Sequence, residues 1–416
     1  MRFKQVLNRA LSALVLSTVV GGAVAASAQD LKIWTLTFDS DEVYSAWTEI
    51  IKAFEAANPG VKVDLVRRST DEHKAALRVA ARSDQGPDVF FMWAGQGLGG
   101  EFVKAGLSKP LDEYYKKYGW DSRLTRTSLA PSKIYPGGRH GVPYTFHGQA
   151  LYYNKALFAK AGISAPPATY EELKADAAKL KAAGIPAFTF GGSVNWHLMR
   201  LMDNLLETKC GAEKHDALKA MKANWGTDPA VTESFRELHT WTANYVLTPF
   251  LGIDQAQSFN LFMANRAAMM LEGDWLVNQL REQKRLNDFA IAPFPTGTNR
   301  LYSFAEYYYV SKQSKVPDLA ARFLDYLQSD AVQQKYVGIL GSMSVNTHVK
   351  YSNSDPLEDK WREIFAKYNQ TFVNGDQGFP LDVTTEYFRI INGVAGNTIA
   401  PESAGKTLQA FINHRK

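Results

Sequence analysis

The chain has 416 residues, a formal net charge of +5 at pH 7 and one cysteine. Arg2, Lys4 and Arg9 supply three of those five charges and leave +2 on the rest, so the basic balance gives no support to nucleic-acid binding. Cys210 stands alone, which rules out an internal disulfide, and a chain of this length can bury a large core and divide into two domains.

Residues 1–28 read as an export signal. The three basic residues precede an apolar run, Ala10 to Val20, that is too short to span a bilayer comfortably. Ala26-Ser27-Ala28 is a small-residue cleavage site, so the mature chain is expected to begin at Gln29; Ala23-Val24-Ala25 is a second candidate. No cysteine follows the apolar run, so no lipid anchor is expected. The implied location is the periplasm.

Leu31 to Leu36 alternates as a first strand. Asp39 and Glu42 have the spacing of a capping box, with Asp39 as N-cap. Val43, Trp47, Ile50, Ile51 and Phe54 then form a helix stripe, which Asn58-Pro59-Gly60 ends. Val61 to Val66 is a second strand and Glu72 to Arg82 a helix. Asp88 to Trp93 reads as a buried strand, and Glu101 to Ala105 as a helix closed by Gly106. This β-α-β-α-β-α order predicts a parallel sheet with helices on both faces.

Gly141 to Gly184 organises the middle of the chain. Gly141-Val142-Pro143 is a break, and Ala150 to Tyr153 a short strand. Leu157, Phe158 and Ala161 fit a short helix, with Gly162 at its C′ position. Pro166-Pro167 breaks the chain again. Thr169 and Glu172 form a capping box before a helix carrying Leu173, Ala177 and Leu180. Further on, strands are expected at Ala187 to Phe190, Ala267 to Leu271, Phe289 to Pro293 and Ser303 to Val310. Helices are expected at His197 to Leu206, Asp228 to Thr242, Leu319 to Gln328, Trp361 to Tyr368 and Val394 to His414.

These pieces resemble the signature of the bacterial extracellular solute-binding proteins that serve ABC transporters for sugars, maltose-binding proteins among them. The matching residues are Gly141, Pro143, Tyr153, Asn154, Lys155, Ala161, Gly162, Pro166, Pro167, Thr169, Glu172 and Leu173. Ala267 to Met270 with Gly273 and Trp275 is similar to a second family block, although Asn265 replaces its usual glycine. Gly341 to Val345 resembles its G-x-x-P turn, with Val345 at the proline position. The resemblance implies an α/β, two-lobed periplasmic-binding-protein fold, type II-like, with hinge crossovers and the ligand in the interlobe cleft. Carried over, lobe one holds 29–145 plus 306–355 and lobe two 146–305 plus 356–416, with hinges near Phe146 and Ala305.

Catalytic signals are poor. There is no nucleophile elbow, no H-E-x-x-H and no metal-ligand spacing, so no catalytic residue, metal or cofactor is expected. Gly95-Gln96-Gly97-Leu98-Gly99-Gly100 matches G-x-G-x-x-G, but it follows the third strand and lacks the acidic residue of a dinucleotide site.

Sugar recognition needs aromatic faces for the C–H patches of a ring and paired donors and acceptors for its hydroxyls. Position alone nominates Asp39 after the first strand, Trp93 at the end of the third, Gln96 in the next loop and Trp196 in a lobe-two loop. The resemblance adds Trp275, its neighbour Asp274, His147 at the first crossover, Glu306 and Tyr307 at the second, and Phe388 in a late segment. Asp274 has a competing role as a cap for the helix beginning at Leu276.

The resulting expectation is a monomeric subunit that captures a neutral mono- or oligosaccharide and delivers it to a membrane permease. Two alternatives stay open. The same fold could bind a polyamine, an organic acid or a phosphorylated compound, and Arg68, Arg139 or Arg200 would favour an acid if they faced the cleft. A secreted carbohydrate-active enzyme using paired carboxylates is the other.

Overall fold

The computed structural model describes residues 29–352, 355–368 and 370–415, so the export signal lies outside the described residues. Eight described strands form one sheet: β1 (Gln29–Leu36), β2 (Val61–Arg68), β3 (Val89–Trp93), β4 (Val142–Asn154), β5 (Met269–Gly273), β6 (Phe289–Ala292), β7 (Arg300–Val310) and β8 (Gln370–Phe372). The order is β2-β1-β3-β7-β4-β5, with β6 on β4 and β8 on β7. β1 pairs in parallel with β2 and β3, as the β-α-β order requires. β7 runs antiparallel to β3 and β4.

Two long strands tie the halves together. Phe146 of β4 pairs directly with Ala305 of β7. Beyond that pair, β4 continues into contact with β5 and β6, and the other end of β7 meets β8. Alternate side chains feed opposite faces of the sheet. In the first half, Phe91, Tyr308 and Val310 join Trp47, Phe54 and Phe323 on one face. Phe90, Met92, Tyr307 and Tyr309 join Phe102 on the other. In the second half, Leu151, Met269 and Leu271 meet Phe188, Leu205 and Trp241, while Ala150, Tyr152 and Met270 meet Phe262 and Trp361. Each half therefore owns its core, and the architecture is two-lobed.

Some local expectations change. β4 begins at Val142, so Pro143 lies inside a strand rather than in a break. It is accommodated where the β4–β7 register shifts between Pro143 and Thr145, because a proline has no N–H to give a ladder. The segment at Ala187 to Phe190 makes only bridges, from Phe188 to Val246 and Met269. The terminal helix is two helices, Leu381–Ala395 and Pro401–Asn413. Asn397 between them is left-handed, and Pro401 can start a helix but not continue one.

Candidate functional site

The cleft between the lobes encloses a cavity of about 380 Å³, within the range of small-molecule sites. The crossover strands line it with Tyr144 and His147 from β4 and Phe304, Glu306 and Tyr308 from β7. Lobe one contributes Phe38, Asp39, Lys74 and Trp93. Lobe two contributes Trp196, Arg200, Trp275, Asn374, Asp376 and Gln377.

Trp275 follows β5 and is half-buried. Its six-membered ring packs against Gly273 so closely that a Cβ there would lie 1.9 Å from the indole. The His147 ring meets it edge-on at 5.3 Å, and the Phe304 ring lies at 5.7 Å. Arg200 sits near two indoles, 4.5 Å from the Trp196 centroid and 5.3 Å from that of Trp275. Its charge is matched by Glu272 at 2.6 Å, and Gln255 donates to the same carboxylate at 3.0 Å. Burial alone would raise the Glu272 pKa, but Arg200 and His197 reverse this and hold it at about 2. The Arg200 Nε has no hydrogen-bond partner, and neither do Asn374 Oδ1 and Asp376 Oδ1. Buried polar atoms are normally paired, so these three are available to a ligand.

His147 is buried within a network that crosses between the lobes. Its Nδ1 donates to Asp274 Oδ1 at 2.8 Å, and its Nε2 lies 3.3 Å from Glu306 Oε2. Thr145 Oγ1 is 2.8 Å from the same Nε2 and donates to Glu306 at 2.9 Å. The second Asp274 oxygen accepts the Ser342 amide at 2.9 Å. Burial opposes charge on the ring, but Asp274 and Glu306 outweigh it and raise its pKa to about 10.

Asp39 exposes its carboxylate to the cleft, but the walls around it replace bulk water. That enclosure, then repulsion from Glu272 and Glu306, pushes its pKa to about 6 against the pull of His147. Ser40, not Asp39, caps the Asp41–Ala57 helix by accepting the Val43 amide at 3.2 Å. The Asp39 side chain is thereby left to the cavity. Asp376 is also raised to about 6, by burial first, with Lys74 pulling the other way.

The structure gathers Asp39, Trp93, His147, Trp196, Trp275 and Glu306 around the cavity. Four other candidates lie elsewhere. Asp274 is buried behind His147, where its side chain holds the imidazole rather than capping a helix. Gln96 donates its backbone amide to Gln377 O at 2.7 Å. Tyr307 is fully buried among the lobe-one aromatics, and its hydroxyl donates to Ser128 O. A strand cannot turn both Glu306 and Tyr307 to one face, and Glu306 takes the cleft side with Tyr308. Phe388 packs against the lobe-two core. Lys74, Asn374, Asp376 and Gln377 also line the cavity, and no motif in the sequence points to them. Arg200 faces the cleft already neutralised by Glu272.

The family model for bacterial extracellular solute-binding proteins matches residues 39–334. The chain belongs to that family. Among its relatives, a protein of Brucella abortus (strain 2308) is 29% identical over 328 residues, covering 73% of this chain and 74% of that one. The maltodextrin-binding protein MdxE of Bacillus subtilis (strain 168) is 23% identical over 349 residues, covering 80% and 78%. A solved chitin oligosaccharide binding protein superposes with a TM-score of 0.82 at 21% identity, covering 93% of this chain and 98% of that one. That likeness establishes the two-lobed fold. As a solute-binding protein the chain takes a small molecule into the cleft. Among the described residues, no helix is long and apolar enough to cross a membrane and no side-chain group could hold a metal ion.

Proposed function

We propose that this protein is the periplasmic sugar-binding subunit of an ABC importer, exported by cleavage after Ala28 and acting as a monomer. The observation that carries the reading is the composition of the cavity wall. Indole rings reach it from both lobes, Trp93 from one and Trp196 and Trp275 from the other. Between them lie unpaired buried polar atoms of Arg200, Asn374 and Asp376. Stacking faces beside free donors and acceptors suit a ring bearing hydroxyl groups.

The charges argue for a neutral ligand. Arg200 is matched by Glu272 and His147 by Asp274 and Glu306. Lys74 rests 5.3 Å above the Trp93 ring, and Arg68 4.1 Å above that of Trp34. Arg68 and Lys74 line the cavity without a carboxylate ion pair among the described residues, but Asp39 and Asp376 line it too, so the wall does not present cations alone. Asp39, Trp93, His147, Trp196, Trp275 and Glu306 are the proposed ligand contacts, with Asp274 as a positioning residue. The lobes are 29–145 with 306–355 and 146–305 with 356–416, and they close over the sugar for delivery to the permease. The role is binding without turnover.

A maltotriose-binding relative and the chitin oligosaccharide binding protein suggest maltotriose and a short chitin oligosaccharide, such as chitobiose, as first probes. A thermal-shift screen over neutral sugars, spermidine, sugar phosphates and organic acids tests the reading. A neutral sugar should raise the unfolding temperature and be recovered intact. Stabilisation confined to a charged class, or consumption of the sugar, would overturn it.

A further inference from the structure

The glycine run after β3 is not a nucleotide loop, and the cavity does not account for it. Its position does. β3 and β8 lie along the same edge of β7, one in each lobe, and both run toward the Phe146–Ala305 pair. Their carboxyl ends therefore face each other across the interlobe junction. Gly95 to Gly97 extends from β3 in lobe one. The turn at Gly375 to Phe379 follows β8 and is anchored in lobe two, where the Gly375 amide donates to Asp203 at 2.8 Å.

These two segments meet backbone to backbone. Gln96 N–H donates to Gln377 O at 2.7 Å. A Cβ on Gly95 would lie 2.5 Å from Gln377 O. A Cβ on Gly97 would lie 2.5 Å from both Asp376 O and Phe379 O, and 3.1 Å from Thr384 Oγ1. The three atoms nearest to a Cβ at Gly97 thus all belong to the opposite lobe. Gly95 has φ +122° and needs glycine for its own backbone, but Gly97 has no left-handed φ. What bars a side chain there is the approach of lobe two.

We propose that Gly97 sets the closure stop of the lobes: they can shut fully only because this position carries no side chain. Gly97 does not touch the ligand, yet it controls how much of the protein reaches the binding-competent form. This rests on the reading of the chain as a protein that closes on its ligand. A population shift away from the closed form lowers apparent affinity in proportion.

The test compares the natural chain with Gly97→Ala and has two arms. In the first, Gln96→Cys and Gln377→Cys are introduced with Cys210→Ser, and diamide drives crosslinking without any sugar. The natural Gly97 should crosslink, and Gly97→Ala should slow the reaction about tenfold or more. In the second arm, maltotriose and chitobiose are titrated calorimetrically against the Gly97→Ala variant and the natural chain. A sugar that binds the natural chain should bind the variant about tenfold more weakly, with an unchanged thermal midpoint in the empty protein. Equal crosslinking rates, or equal affinities, would overturn the stop. So would unfolding of Gly97→Ala, since the glycine would then serve lobe one itself. If neither sugar binds, the choice of ligand fails while the crosslinking arm still decides the stop.

Discussion

Trp275 is held on every side that does not face the cavity. Gly273 lies beneath it, His147 and Phe304 beside it, and Arg200 close to its face. A ring fixed before the ligand arrives loses little freedom on binding. Trp275→Ala should weaken sugar binding by about 2 kcal/mol or more, the scale of an aromatic anchor, while unfolding in urea changes little. Lost stability with unchanged affinity would mean that the ring serves the core. His147 gives a prediction in pH. Its folded pKa of about 10 lies above the ordinary 6.5. Its stabilisation is therefore complete below the unfolded value and lost as pH rises through about 10. Thermal stability should fall between these values, and His147→Gln should flatten that part of the profile. At this scale the sequence was partly legible. Trp93 could be nominated from a strand end, Trp196 from an expected loop that is in fact the first turn of the Asn195–Cys210 helix, and Trp275 from the family block it ends. Glu306 and Tyr307 could not be separated until the pairing fixed which face of β7 is wet. Asn374 and Asp376 were invisible, since only the β7–β8 pairing, about seventy residues apart along the chain, carries them to the cleft.

Strands and helices were more legible than contacts because periodicity is local. The first three strands and their helices follow from alternation and from helical stripes. Local pattern shows only a short strand within β4 because Pro143 looks like a breaker, and only the register shift beside it reveals a strand crossing both lobes. Elements of lobe two are joined by a buried ion cluster that no motif announces. Arg300, at the start of β7, donates to Glu207 through Nε at 2.9 Å and Nη2 at 2.6 Å. His215 and Thr298 approach the same carboxylate at 2.7 Å each. Burial works to raise the Glu207 pKa, but His215, Arg300 and Thr298 hold it at about 2. Its folded value is depressed, so its contribution is present above the ordinary 4.5 and lost as pH falls through about 2. Arg300→Met would leave Glu207 buried beside a missing partner. The expected cost is about 3–5 kcal/mol in denaturant unfolding, with Glu207→Gln in the same background restoring part of it.

At the scale of the molecule, the lobes touch through polar contacts between the Leu276–Glu282 helix and lobe one. Glu282, on the lobe-two helix Leu276–Glu282, accepts the amides of Asp41 at 2.6 Å and Glu42 at 3.3 Å. Those amides open the Asp41–Ala57 helix of lobe one, where a carboxylate meets unpaired N–H groups. Arg281 reaches Glu42 at 2.8 Å, and Asn278 donates to Ile339 O at 2.8 Å. These contacts are polar and small in number beside the two cores, so opening at the Phe146–Ala305 pair costs little compared with unfolding a lobe. A ligand touching both lobes then shifts the population toward the closed form. Small-angle scattering with the sugar that most raises the unfolding temperature should show a smaller radius of gyration than the empty protein. Glu282→Ala should weaken closure without altering the cavity wall. Its affinity should fall by about 1 kcal/mol, as for a lost helix cap, and the empty variant should be at least as extended as the natural chain. A sugar bound tightly with no change in radius, in a protein already compact when empty, would show that binding and closure are not coupled. The permease would then have no closed form to distinguish from the open one.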